Sequence, residues 1–405
     1  MSAEQKEKYN CYGWNAALMQ KMVVYKDHLM FDPMLFDNKF CGLYDVRPMY
    51  VGSIYSQITI CSAVVLFTEG LMAKRRVGAL VQEMAGVGMN DATLIDHINK
   101  FARVIAYPAY KECRSLMLSH NKVIQADETT MKLTEGAAAG KTRIAYVWSM
   151  SSGPFEDYAF TIFHGGESRQ ADEFIKMLGL QPGEKVPKDF RFAPEYLVTD
   201  AYADYDSLPD RLKDAGGGKL VICNCWAHVY RRYRDALKKM GLYDIYKEAI
   251  GDDDYQNFYD NLDRLLSQNP RKAKPEPYIM EFIYIAMLIS NIFYAEDTLR
   301  DESPDSILKY RQEETRRVVD VIFAKAKALA ANPVSHIVYS YDAEHNLFSD
   351  CSALGDIPWA GAITYMLNQE IKLRAFLLCG EVPLSNNQEE RMLRPHEVHR
   401  ATIKY

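Results

Sequence analysis

The tightest constraint on this chain is the order of its β-type segments between Asn121 and Cys223. Three come in succession: 123–127, 143–150 and 158–163, the last after a turn at Ser152-Gly153-Pro154. An amphipathic helix over 168–178 follows, with Phe174, Ile175 and Leu178 on one side. After a loop holding Pro182, Gly183 and Pro187 come a fourth strand (196–200), a helix (202–213) and a fifth strand (220–223). Strands that follow one another directly pair antiparallel, whereas strands reached through a helix return parallel. The prediction is a mixed five-stranded sheet with flanking helices. Two of its strands end in a carboxylate: Val123-Ile124-Gln125-Ala126-Asp127 and Tyr196-Leu197-Val198-Thr199-Asp200.

This is the strand order of an α/β ribonuclease-H-like core. In that topology strands one and four are neighbours, so Asp127 and Asp200 are expected side by side despite their distance in sequence. A third carboxylate, Glu390, lies at the start of a late helix (Asn386-Asn387-Gln388-Glu389-Glu390-Arg391). Three carboxylates of this kind suit a pair of Mg²⁺ ions about 3.5–4 Å apart, which activate a nucleophile and stabilise the leaving oxygen of a phosphodiester. Mg²⁺ takes hard oxygen ligands and keeps several waters, so a few carboxylates suffice, and Mn²⁺ can substitute. The plainer reading is that each aspartate caps the turn after its strand.

At 405 residues the chain is long for one core, and about two or three domains are expected. Its net charge of -6 does not advertise nucleic-acid binding, but binding surfaces are local, and a carboxylate site neutralised by metal adds negative formal charge. The first ten residues are polar and carry no signal-peptide pattern, so the scattered cysteines read as reduced, buried thiols of a cytoplasmic protein. The most apolar run, Ile58 to Phe67, is too short for a membrane span and reads as a buried helix.

Residues 1–120 are expected to form a helical N-terminal region. Helical patches lie at Trp14–Met22 and Val23–Met30, and a loop covers Phe40 to Val51. Helices then begin near Ser53, Arg76 and Asn90-Asp91, the last two separated by the Gly-rich turn Ala85-Gly86-Val87-Gly88. Helix, turn, helix is the outline of a DNA-binding helix-turn-helix and equally of any helical hairpin. The catalytic core occupies 121–240, an all-helical insertion 241–379, and a C-terminal helix at 380–405 completes the core. The insertion is marked by amphipathic runs at 278–293, 306–331 and 359–378, punctuated by Pro270, Pro275, Pro277, Pro304 and Pro333.

Three local features bear on chemistry. Cys223, Cys225 and His228 have short soft-ligand spacing, but a closed zinc site needs four ligands and the sequence offers three, so Cys225, Trp226 and His228 read as structural residues near the site. Arg231 and Arg232 begin a basic helix that either contacts DNA phosphates or forms a solvated face. On the late helix Asn386 or Asn387 can cap, with Asn387 placed near the site. Glu390 and Arg394 share a face, as an ion pair or as a metal ligand and a phosphate contact, with Arg391 beside them.

These blocks together resemble the insertion-sequence-66 family of bacterial DDE transposases. The first block is Val123 to Thr129. The next are Tyr146-Val147-Trp148, Ser168-Arg169 and Thr199-Asp200-Ala201-Tyr202-Ala203-Asp204-Tyr205. Then come Cys225-Trp226-Ala227-His228-Val229-Tyr230-Arg231-Arg232 and Gly380 to Arg394. The resemblance implies Asp127, Asp200 and Glu390 as catalytic metal ligands and a helical insertion splitting the catalytic fold. It also implies DNA (element ends and target) as partner and a homodimer on DNA. The implied reaction is hydrolysis at an element end and transfer of the freed 3′-hydroxyl to target DNA, with no protein nucleophile. The chain departs from the pattern at Ser385, where the family has Asp, and only Cys41 stands near the family's cysteine-rich zinc module. The family's C-terminal extension is also not expected beyond Tyr405. The competing expectation is a truncated or domesticated relative that binds DNA without cutting it.

Overall fold

The structure is a computed structural model. It describes Tyr55 and residues 57–70, 72–85, 89–135, 141–250, 277–331, 339–342, 347–350 and 358–402. The helical patches expected at 14–30 and the loop at 40–51 lie outside these residues. The chain divides into two compact units, one running to Glu112 and including the residues from Arg394 onward, the other Cys113–Leu393.

In the first unit α1 (Gln57–Thr68), α2 (Lys74–Ala85) and α3 (Asp91–Phe101) share a small core of Ile60, Ala63, Val64, Val77, Val81, Met89 and Leu94. α3 starts where the sequence places it: the Asn90 side chain accepts the Thr93 N–H at 2.8 Å, satisfying one orphan donor of the first turn. Gly78 allows α2 to press on Met89, because a Cβ there would sit 2.5 Å from the Met89 carbonyl oxygen. A π-type turn (Ala102–Ala106) leads into α4 (Tyr107–His120).

The second unit is built on a five-stranded sheet of order β3-β2-β1-β4-β5. Its strands are β1 (Val123–Glu135), β2 (Lys141–Ser152), β3 (Thr161–Gly166), β4 (Tyr196–Thr199) and β5 (Val221–Asn224). β1, β2 and β3 are antiparallel, and β4 and β5 join β1 in parallel. The mixed five-stranded sheet and its neighbour pairs are those expected from the sequence.

Several boundaries differ. β1 does not stop at Asp127 but runs to Glu135, because Thr129 to Glu135 keeps pairing with β2, from Met131 onward as a two-stranded ribbon beyond β3. β3 begins at Thr161 rather than 158. The Tyr158 carbonyl accepts from the Ser152 hydroxyl and the Asn121 amide, and the Phe160 N–H donates to the Ser152 hydroxyl rather than to a strand carbonyl. The expected helix over 202–213 is a set of tight single turns with one α-turn at Leu208–Arg211, where Pro209 starts a turn and Gly216, at φ +99°, ends the run. α5 (Ala171–Met177) is shorter than 168–178 for a similar reason: Gly179, at φ +88°, follows it.

After β5 come α6 (Trp226–Lys239), α7 (Tyr243–Ile250), α8 (Pro277–Thr298), α9 (Pro304–Tyr310) and α10 (Arg316–Ala331). A hairpin of β6 (Tyr339–Asp342) and β7 (Leu347–Asp350) precedes α11 (Pro358–Asn368), α12 (Glu370–Arg374) and α13 (Asn387–Thr402). The segment 241–379 is therefore not all-helical. Tyr339, Tyr341, Leu347 and Phe348 supply strand-forming residues in two short runs, and these pair antiparallel. The run at 359–378 also breaks at Gln369 into α11 and α12.

One continuous core joins these helices to the sheet. Val198 and Cys223 of the parallel strands pack with Trp226, Tyr233 and Leu237 of α6, and onward to Phe282, Ile285 and Ile289 of α8, Ile322 and Phe323 of α10, and Trp359 and Ile363 of α11. Gly380 marks the closest approach: a Cβ there would fall 1.8 Å from the Pro304 carbonyl oxygen, so only glycine lets the chain pass α9 on its way to α13. Among the described residues no helix is long and apolar enough to cross a membrane.

Candidate active site

The site forms where the parallel strands end. β1 and β4 pair Ile124 with Leu197 and Gln125 with Val198, and the same register carried two residues further sets Asp127 beside Asp200. Side chains alternate along a strand, so Asp127 shares its face with Gln125, and Glu128 projects to the other. Ser151 and Ser149 of β2 lie directly across from Gln125 and Asp127.

The Asp127 carboxyl is partly buried, and its Oδ1 accepts the Glu128 N–H at 2.9 Å. Burial, and then the neighbouring charges of Glu128, Asp200 and Glu390, push its pKa up to about 8. Glu128 is raised to about 7, by burial and the charge of Asp200, although Tyr205 and Arg169 both favour its ionised form. Three neighbouring carboxylates thus bear on Asp127.

Two arginines answer that charge. Arg169 donates from Nε to Glu128 Oε1 at 2.6 Å and reaches Asp200 Oδ2 with Nη2 at 3.5 Å, while its guanidinium lies 4.2 Å from the Tyr202 ring centre. The other Glu128 oxygen accepts the Tyr205 hydroxyl at 2.8 Å, and Tyr205 is buried edge-on to Trp148 and Phe174. Asp200 Oδ1 accepts the Tyr202 N–H at 3.0 Å. Arg231 holds Glu390: its Nη2 lies 2.6 Å from Oε1 and 2.5 Å from Oε2, and 3.4 Å from Asn387 Oδ1.

The remaining residues singled out by sequence are placed as follows. Cys225 is buried and its Sγ accepts the Asn386 N–H; burial pushes its thiol up to about 11. Trp226 is fully buried, and its indole N–H donates to the Leu373 carbonyl at 2.8 Å. His228 Nε2 lies 3.7 Å from Glu390 Oε1, and burial followed by the charge of Arg231 lowers its pKa. Arg232 is exposed and lies 4.0 Å from the centre of the Tyr365 ring. Arg391 is exposed and donates to the Asn387 carbonyl, and Arg394 is exposed. Asn386 stands before α13, but its side-chain atoms are buried without a hydrogen-bond partner, so it does not cap the helix through its side chain.

Sequence reasoning missed the partners of the acidic residues. Glu128, Arg169 and Tyr205 all lie in the quoted blocks, but nothing in their spacing tells that Arg169 bridges Glu128 and Asp200. It also missed Glu389, which is fully buried against Ser149 and Ser151 and whose carboxyl burial raises.

The donor set is all oxygen, which suits a hard divalent cation. Among the described residues no three His, Cys, Asp or Glu side chains lie close enough together to hold an ion as they stand. Glu390 is turned to Arg231, and the Cys223 thiol lies 3.8 Å from the Val221 carbonyl oxygen. The set therefore fits Mg²⁺ in kind, with Asp127 and Asp200 adjacent, and requires Glu390 to turn. The family model described as Transposase IS66 family matches residues 52–404. No curated protein matches the chain.

Proposed function

We propose, from the premise that this chain belongs to the Transposase IS66 family, that it cuts and joins DNA phosphodiesters with a DDE set made of Asp127, Asp200 and Glu390. The observation that carries the reading is the β1–β4 register, which, carried two residues on, brings Asp127 beside Asp200, with Glu390 near enough to raise Asp127. The strand order supports a ribonuclease-H-like core, and the helices after β5 act as an insertion within it.

Two divalent ions of the Mg²⁺ class (or Mn²⁺) would be held by Asp127, Asp200 and Glu390, and would supply nucleophile activation and charge stabilisation at the phosphorus. The chain's own residues do the rest. Arg169 and Tyr202 fix Asp200, the β1 backbone fixes Asp127, and Arg231, Arg232, Arg391 and Arg394 offer cations to the DNA backbone. No side-chain nucleophile is required, so water or a DNA 3′-hydroxyl attacks, and a homodimer would hold the paired element ends.

The test is cleavage and joining of a donor plasmid carrying the element ends by wild type, Asp127→Asn, Asp200→Asn and Glu390→Gln in Mg²⁺ or Mn²⁺. Activity in wild type and background levels in all three variants is the expected result. Cleavage that survives Asp200→Asn sinks the reading. The Arg231–Glu390 pair favours one alternative, a relative that binds DNA without cutting. That alternative takes the lead if wild type binds end DNA but yields neither cut nor joined product.

A further inference from the structure

Arg231 lies on α6 and Glu390 on α13, and the start of α6 is bonded to the segment just before α13 and to α12. The Trp226 N–H donates to the Leu384 carbonyl at 3.1 Å, the Asn386 N–H to Cys225 Sγ at 3.4 Å, and the buried Trp226 indole to the Leu373 carbonyl. The backbones of α6 and α13 are thus fixed at this corner, and a change in the Arg231–Glu390 contact falls to the side chains. Both side chains have room to move: Arg231 is 36% exposed and Glu390 19%.

As the pair stands, one guanidinium nitrogen bonds both Glu390 oxygens. Glu390 cannot satisfy Arg231 in this way and also turn to join Asp127 and Asp200. Equally, that nitrogen, which also lies 3.4 Å from Asn387 Oδ1, has no further room for a phosphate while Glu390 holds it. Guanidinium groups pair with carboxylate and phosphate in the same forked geometry, so the ligand that would replace Glu390 on Arg231 is a DNA phosphate. Two further arginines, Arg232 next to it on α6 and Arg391 next to Glu390 on α13, are exposed.

We propose that Arg231 is shared between Glu390 and the DNA backbone: it holds the third carboxylate when DNA is absent and passes to a phosphate when Glu390 turns to the acidic site. This rests on the reading of Asp127, Asp200 and Glu390 as a cation site. Its consequence is that cation and DNA bind cooperatively, since each favours the state in which the pair is open. Linkage makes the coupling equal from either side.

The experiment measures Mn²⁺ binding to the full chain by electron paramagnetic resonance of the free ion, with and without a random-sequence DNA duplex. DNA affinity is measured by fluorescence anisotropy with and without Mn²⁺. Wild type is expected to bind Mn²⁺ about tenfold tighter with DNA present, and DNA tighter with Mn²⁺ by the same factor. Arg231→Gln is expected to bind Mn²⁺ tighter than wild type without DNA, with the coupling reduced to near one. Glu390→Gln is expected to raise metal-free DNA affinity, and this gain should vanish in the Arg231→Gln background, where no latch remains to open. Unchanged or weaker Mn²⁺ binding in Arg231→Gln, or wild-type coupling in that variant, overturns the proposal. If wild type binds no Mn²⁺ in either condition, or Asp200→Asn binds it as well as wild type, the cation-site reading fails instead. Thermal melts of each variant keep a folding defect from passing as a binding effect.

Discussion

The backbone N–H of Asn386 donates to the sulfur of Cys225 at 3.4 Å, with both residues buried. This bond ties the start of α13 to the corner after β5 and sets where Glu390 emerges. Cys225→Ala removes the acceptor and leaves a buried N–H unpaired. The expected loss is about 1–3 kcal/mol of stability, read as a lower urea midpoint with an unchanged slope. Cys225→Ser keeps an acceptor and should lose less. Because burial pushes the Cys225 thiol up to about 11, it should also resist alkylation in the folded protein, while the half-buried Cys61 and Cys113 react before it, as mass mapping would show. Rapid labelling of Cys225 at neutral pH would contradict this placement.

Asp127 should make stability fall as pH rises. Its folded pKa is raised from 3.8 to about 8, so the native state binds a proton that the unfolded state has released across this window. The contribution is fully present below about 4 and is lost as pH climbs through about 8. Asp127→Asn cannot ionise, so in metal-free buffer it should melt higher than wild type at pH 8 and close to wild type near pH 4. Parallel melting curves for the two proteins across that range would show that the carboxyl is not crowded as described. Divalent cation should reverse the wild-type slope, because neutralising the site removes the repulsion among Asp127, Glu128, Asp200 and Glu390.

How far the sequence reaches is seen by setting the sheet beside the site. Strand order is legible because each β segment carries its own local pattern and the connections decide parallel or antiparallel pairing. Strand ends are less so. The polar Asp127-Glu128-Thr129-Thr130 reads as a strand mouth, yet it continues in β1 because β2 offers a partner as far as Lys141. The hairpin of β6 and β7 was hidden among helical runs for the same reason: pairing partners decide short strands more than propensity does. At the candidate site the sequence offers Asp127, Asp200 and Glu390 by position, but not their counter-charges. The helix rule offers Arg394 to Glu390, whereas the partner found is Arg231, far away in sequence.

Arg311 anchors the segment between α12 and α13. It is 2% exposed and forks onto Glu296 through Nε and Nη2, at 2.8 and 2.5 Å, while Nη1 donates to the Phe376 and Cys379 carbonyls at 3.1 and 2.7 Å. Removing one member of such a buried pair leaves a desolvated charge and, here, two bare carbonyls. Arg311→Met should cost about 3–5 kcal/mol, and Glu296→Gln less, since the amide oxygen still accepts one bond. Urea denaturation decides it. An Arg311→Met protein with a wild-type midpoint would mean that this junction does not hold the segment leading to Gly380.

Arg169 offers the sharpest test of whether Asp200 is held for chemistry. It is anchored by Glu128, whose side chain is 1% exposed, and Glu128 is pinned in turn by the buried Tyr205 hydroxyl. The guanidinium then reaches Asp200 from the side opposite the Tyr202 N–H that holds the other oxygen. A lysine keeps the charge but cannot fork between two carboxylates or lie flat on the Tyr202 ring. Arg169→Lys should therefore fold with a melting temperature near wild type. It should nonetheless lose roughly 10–100-fold in Mn²⁺ affinity or in turnover, the range seen when a ligand's supporting partner is changed. Glu128→Gln should behave like Arg169→Lys, and the double variant should lose no more than either single one, because both act on Asp200 through the same contact. Additive losses would separate the two residues and leave Arg169 as no more than a surface counter-charge.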